Sequence, residues 1–192
     1  METSIIQARQ AWVRALLLLG ILTAWGALPG VAAASLSVGE PAPFFSVDSG
    51  DDENLTLDML RGKVIILFYE TREVVDKNRE FKDYLKSLYN DLPEAVQENV
   101  FRLVVINCSE ASFATKPIWR MKLREASERQ GMTIYGDWTG AMLGDYQIQD
   151  HDSNFLVIDR NGIIRYAATG LIENSQFEKL KEMLLNLANN KG

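Results

Sequence analysis

A three-layer α/β/α sandwich on a mixed central sheet is the architecture this sequence predicts. Two apolar runs, Val64 to Tyr69 and Phe101 to Ile106, have the composition of strands covered on both faces. A helical pattern separates them, which makes them a parallel β–α–β pair. Farther on, Asp159-Arg160-Asn161-Gly162 joins Asn154–Ile158 to Ile163–Tyr166. Its Asn-Gly step tolerates the positive φ of a hairpin, so antiparallel strands join the same sheet.

The chain opens on an export signal, residues 1–34. Arg9 and Arg14 give a basic start, Ala15 to Leu22 an apolar run, and Val31-Ala32-Ala33-Ala34 the small residues a signal peptidase requires. Thr23, Gly26 and Pro29 interrupt the run short of the roughly 20 residues that span a bilayer, so cleavage after Ala34 is expected rather than a stable anchor. Residues 35–192 then form one domain, located in the periplasm or secreted.

Within that domain Pro43 belongs at a strand start and Phe44 to Val47 suits a short edge strand. Asp48 to Glu53 reads as a solvated turn. Lys63 to Tyr69 is the central strand. Thr71 is placed to cap the next helix, with Glu73 and Asp76 in the first turn, where carboxylates favour the unpaired N–H groups. Phe81, Tyr84, Leu85 and Leu88 give that helix its apolar stripe, and Asp91-Leu92-Pro93 ends it. After the second strand, a helix opens near Thr115, carries Pro117 early and closes at Gly131. Thr133 to Tyr135 reads as a short strand, and Trp138 to Tyr146 as a turn with a short helix. The last helix shows a capping box, Ser175 with Glu178, and the stripe Phe177, Leu180, Leu184, Leu187.

Charge and cysteine usage exclude several functions. The net charge is −6, and −7 once residues 1–34 with Glu2, Arg9 and Arg14 are removed, which opposes binding to nucleic acid or anionic lipid. Cys108 is the single cysteine, so no internal disulfide and no two-thiol cycle can exist within one chain. His151 is the single histidine, which rules out a multi-histidine metal site. Neither a metal nor a cofactor is expected.

Several phrases carry a resemblance: Val38-Gly39-Glu40-Pro41-Ala42-Pro43-Phe44, Leu57 to Lys63 ahead of Phe68-Tyr69-Glu70-Thr71, and Asn154 to Asp159 with Arg160-Asn161-Gly162-Ile163-Ile164. In this order they resemble the redoxin branch of the thioredoxin-like superfamily, the TlpA-like and peroxiredoxin-like proteins, and most closely the periplasmic YtfJ-like proteins. The resemblance spans residues 35–192 and implies a thioredoxin-like fold. It also implies where a redox site would stand. The TlpA-like phrase Phe-Trp-Ala-Thr-Trp-Cys-x-x-Cys, laid on Phe68 to Asp76, puts Glu73 and Asp76 on the two cysteines. The family's cis-proline falls on Asp152. Both halves of the redox site are therefore missing, as is the peroxidatic Pro-x-x-x-Thr-x-x-Cys pattern.

Three uses of the residues are open at this stage. The first is a non-catalytic binding or accessory role in the cell envelope, through an edge made of Glu70, Thr71, Glu73, Asp76 and Asp152 and an unidentified protein partner. The second is a one-cysteine thiol redox or peroxide-scavenging reaction at Cys108, whose place at a strand end otherwise suits a small buried hydrophobe. The third is cation binding by the acidic group, which needs several oxygen ligands to converge. The basic residues Lys116, Arg120, Lys122, Arg124 and Arg129 alternate with Glu125 and Glu128 and read as a solvated helix face.

Overall fold

The computed structural model describes residues 38–189; the expected export signal lies outside them. Seven strands form one mixed sheet: β1 (Ser46–Ser49), β2 (Asn54–Thr56), β3 (Val64–Glu70), β4 (Val100–Asn107), β5 (Ile134–Asp137), β6 (Asn154–Ile158) and β7 (Ile164–Thr169). Their order across the sheet is β2-β1-β5-β4-β3-β6-β7. The three inner strands β5, β4 and β3 are parallel, while β1 and β2 on one flank and β6 and β7 on the other are antiparallel.

The helices are α1 (Arg79–Asn90), the single turn α2 (Glu94–Gln97), α3 (Lys116–Gln130), α4 (Ala141–Asp145) and α5 (Asn174–Asn189). All seven residues of β3 are buried, as its unbroken apolar run requires of a strand covered on both faces. Its alternate side chains enter different cores. Ile65, Leu67 and Tyr69 join Leu103, Val105, Met142 and Tyr146 on the side of α4. Val64, Ile66 and Phe68 join Phe81, Phe155 and Phe177 beneath α1 and α5. In that second core the Phe81 ring meets Phe155 edge-on at 5.1 Å and Phe177 at 4.9 Å, arrangements that add to simple area burial.

Three local expectations are corrected. Phe44 to Val47 is not the edge: β1 is Ser46–Ser49 and lies one strand in, because Asn54–Thr56 folds back on it as the outer strand β2. Thr71 does not cap α1. Residues 72–78 form successive turns, the helix begins at Arg79, and Asn78 precedes it with no side-chain cap. Nor do Ser175 and Glu178 form a capping box, since α5 begins at Asn174; the Gln176 side chain accepts the Glu173 N–H instead, the same device two residues earlier. The third helix follows its sequence signals closely, with Pro117 in its first turn and Gly131 closing it at φ 64°.

Replacing Phe155 by Ala removes the ring shared by β6, α1 and α5. We expect a loss of about 3–5 kcal/mol in urea unfolding with an unchanged denaturant slope.

Candidate functional site

The end of β3, the turns at 72–78 and the loop before β6 meet at one edge of the sheet. Glu70 points inward from the last position of β3 and is completely buried, in the row otherwise occupied by Ile66 and Phe68. Such a carboxylate needs partners. Lys82 in α1 supplies one, its Nζ lying 2.8 and 2.6 Å from the two Glu70 oxygens, and the Ser153 hydroxyl donates to Oε1 at 2.5 Å. Burial outweighs these contacts and holds the Glu70 carboxyl above its ordinary range.

The same lysine explains the late start of α1. Its Nζ also donates to the Val75 carbonyl at 2.8 Å, an oxygen that in a continuous helix would accept the Arg79 N–H. Arg79 N–H goes instead to Asp76 O at 3.2 Å. Asn78 then pins the turn in place: its amide donates to Ser153 Oγ and Gly170 O, both at 2.8 Å, and its carbonyl accepts the Ile172 N–H at 2.8 Å.

These bonds lay the 72–78 turns beside the loop holding Asp152. Lys77 reaches Asp152 at 2.5 Å, and this bond is the first cause holding the Asp152 carboxyl below its usual range. Glu73 and Asp76 are exposed on the turns. The Glu73 carboxyl is also lowered, first by its own backbone N–H and further by the Arg72 charge. Asp76 pairs with Arg79 at 2.6 Å. Of the five residues expected to form a binding edge, Glu73 and Asp76 face solvent and Asp152 is half-buried, while Glu70 and Thr71 lie beneath the surface and support the others. No three His, Cys, Asp or Glu side chains converge among the described residues.

Cys108 sits just past β4 under α3, completely buried among Ile106, Leu123 and Ile134. Burial first, and the Asp137 charge second, push its thiol up to about 12. Asp137 itself is buried. It accepts the Tyr69 hydroxyl at 3.1 Å and the N–H groups of Gly140 and Met142 at 2.9 and 3.0 Å, fixing the start of α4. Sequence reasoning did not single out Asp137, Lys82, Ser153 or Asn78. Each is a polar residue whose partners come from distant segments.

The fold is thioredoxin-like. A Chlorobium tepidum protein assigned as the thiol:disulfide interchange protein DsbE superposes with a TM-score of 0.59 at 17% identity, over 81% of this chain and 100% of its own. The thioredoxin domain of a thiol-disulfide oxidoreductase from Bacteroides vulgatus gives 0.56 at 15%, over 78% and 99%. The exposed lipoprotein thioredoxin Etrx1 of Streptococcus pneumoniae gives 0.52 at 17%, over 73% and 99%. At these identities the likeness establishes the fold. No protein-family model and no curated protein sequence matches the chain.

Two outcomes test this geometry. Replacing Lys82 by Met leaves Glu70 buried without its cation and should cost about 3 kcal/mol at neutral pH, the low end of the range for broken buried pairs because the amine keeps some water contact. Since the folded chain holds the Glu70 proton more tightly than the unfolded chain, its stabilising contribution is fullest below the ordinary carboxylate range and is lost as pH rises through the folded pKa. The K82M deficit should therefore shrink toward acid pH, and E70Q should abolish that part of the stability-versus-pH slope in urea titrations. For Cys108, a rise from 9.0 to about 12 lowers the thiolate fraction about a thousandfold, so alkylation by iodoacetamide at pH 8 should be that much slower in the folded protein than in denaturant.

Proposed function

We propose that this chain is an exported thioredoxin-fold protein without the Cys-x-x-Cys dithiol or the cis-proline, acting as a non-catalytic binding or accessory protein of the cell envelope and akin to the YtfJ-like periplasmic proteins. One observation carries the reading. The turn after the central strand, where the thioredoxin-like pattern places its two cysteines, presents Glu73 and Asp76 to solvent, and the chain's only thiol is buried elsewhere. A carboxylate cannot form a mixed disulfide, so this edge is left with recognition. A fold does not dictate an activity.

The binding surface in this reading is the ridge formed by Glu73 and Asp76, with Lys77–Asp152 at its base and Glu70 and Thr71 beneath it. Two features make it suitable for a protein partner. The ridge is firmly mounted, because Lys82 ties it to Glu70 at the end of β3 and Asn78 ties it to the loops before β6 and α5, so ordering it on binding costs little entropy. Its carboxylates are each matched by a cation, Glu73 by Arg72, Asp76 by Arg79 and Asp152 by Lys77, so it presents a fixed pattern of alternating charge. A partner surface carrying charges of both signs in matching positions is the complement. An envelope location is supported by the expected signal at residues 1–34 and by fold neighbours that include an exposed lipoprotein.

The test is partner recovery. Cross-linking in cells expressing the wild-type chain should trap a specific envelope protein, and E73K/D76K should reduce its yield at least tenfold while circular dichroism and thermal stability stay unchanged. Full recovery with the double variant, or turnover of insulin disulfide or peroxide by the purified wild type, would refute the reading.

A further inference from the structure

Between α1 and α3 the cover over the two central strands is incomplete at Val104, although the β3 residues beside it remain buried. The opening is a cavity of about 590 Å³, within the roughly 300–1,000 Å³ that small organic ligands occupy. Its floor is Ile66 and Phe68 from β3 with Val104 and Ile106 from β4, walled by Leu85 on α1 and Leu123 on α3. Val104 shows the gap most directly. It stands mid-strand at the centre of the sheet yet is only half-buried, while Leu103, Val105 and Ile106 around it are buried. It packs at the margin of two separate apolar clusters, one around Phe81 and Phe155 and the other around Cys108 and Leu123, and joins neither interior.

The rim is basic. Seven Lys and Arg side chains line the cavity against three carboxylates, and Arg72 and Lys122 pair further with Glu73 and Glu125, which leaves a surplus of two positive charges in a chain whose total is −6. The basic side chains divide by position. Toward the end of β3, Lys82 and Arg79 are committed to Glu70 and Asp76. Lys86, Arg102 and Arg129 have no carboxylate within ion-pair distance among the described residues. These three gather at the opposite end. Arg102 pairs across the ladder with Ile66, early in both strands, and its guanidinium lies 4.3 Å over the Tyr89 ring in the last turn of α1. Because α1 and α3 each return against the direction of the parallel strands, Lys86 and Arg129 in their later turns come to that same end. The helix-face residues Lys122 and Arg129, which alternate with acids in sequence, are thus part of a cavity wall.

An apolar trough flanked at one end by three cations without carboxylate partners is complementary to a molecule with one long apolar tail and one anionic head. We propose that this cavity binds a long-chain carboxylate of the fatty-acid class, its tail along Val104, Ile106 and Phe68 and its head between Lys86, Arg102 and Arg129. The local positive field draws the anion despite the negative net charge, and the apolar floor selects for the tail. The proposal is independent of any protein partner at the Glu73–Asp76 edge.

The experiment uses the purified mature chain and reads Trp119, which lines the cavity. Laurate is titrated below its micelle concentration, with dodecyltrimethylammonium, acetate and inorganic phosphate as comparisons. Saturable binding of one laurate per chain is expected, at least tenfold tighter than the cationic amphiphile and weakened by salt. K86E/R102E/R129E should weaken it at least tenfold, and A126W, which fills the trough from α3, should abolish it while the fold by circular dichroism is retained. Equal affinity for both amphiphiles, competition by phosphate alone at millimolar concentration, unchanged affinity in both variants, or association only with anionic vesicles would each overturn the proposal.

Discussion

The edge of this molecule is organised by one buried charge. Glu70 ends a strand whose other six residues are apolar, and its side chain points into the same layer as Ile66 and Phe68. A carboxyl group in that position must be given partners or remain protonated. The chain does some of both. Lys82 and Ser153 bind its oxygens, yet burial still holds the proton more firmly than in water. Because Lys82 simultaneously takes the Val75 carbonyl, the requirement of one buried side chain propagates into the backbone of residues 72–78 and fixes where α1 can begin.

That displacement bears directly on chemistry. A cysteine just after the central strand is activated when it stands at the first turn of a helix, where unpaired N–H groups and the macrodipole favour the thiolate. Here regular helix starts only at Arg79, and the preceding segment is a series of turns tied to Ser153, Gly170 and Ile172 through Asn78. The segment just after β3 therefore lacks the helix N-terminus that would activate a thiol there. The helix field lies several residues farther along the chain, and the turns at 72–78 form a ridge of paired charges.

How far this could be read beforehand depends on the range of the forces involved. The strands β3, β4 and β6 were legible because burial on both faces writes itself as an uninterrupted apolar run, and α3 because Pro117 and Gly131 mark its ends locally. Placing Glu73 and Asp76 on the turn next to Asp152 relied on a family resemblance, not on any local rule. Thr71 as a helix cap was a reasonable local inference, defeated by bonds from Lys82 and Asn78 that span separate segments. Glu70 reads as the polar end of an apolar strand; only packing shows it to be fully enclosed. Lys122 and Arg129 are exposed, as a solvated helix face requires; the cavity left no trace in sequence because the distance between α1 and α3 is a property of the assembled layers.

The two proposed sites use the same scaffold in opposite ways. At the ridge, polar groups are consumed internally: Lys82, Ser153, Asn78 and Lys77 all have partners, so its shape is set before any ligand arrives. Along the trough the reverse holds. Val104 keeps water contact at the centre of a sheet, and Lys86, Arg102 and Arg129 remain uncommitted among the described residues. Exposing apolar surface at such a position forgoes burial that a closer approach of α1 and α3 would supply. Paired polar groups set the ridge's shape in advance, whereas half-exposed Val104 and the solvated cations beside it leave room that a ligand's tail and head can take up.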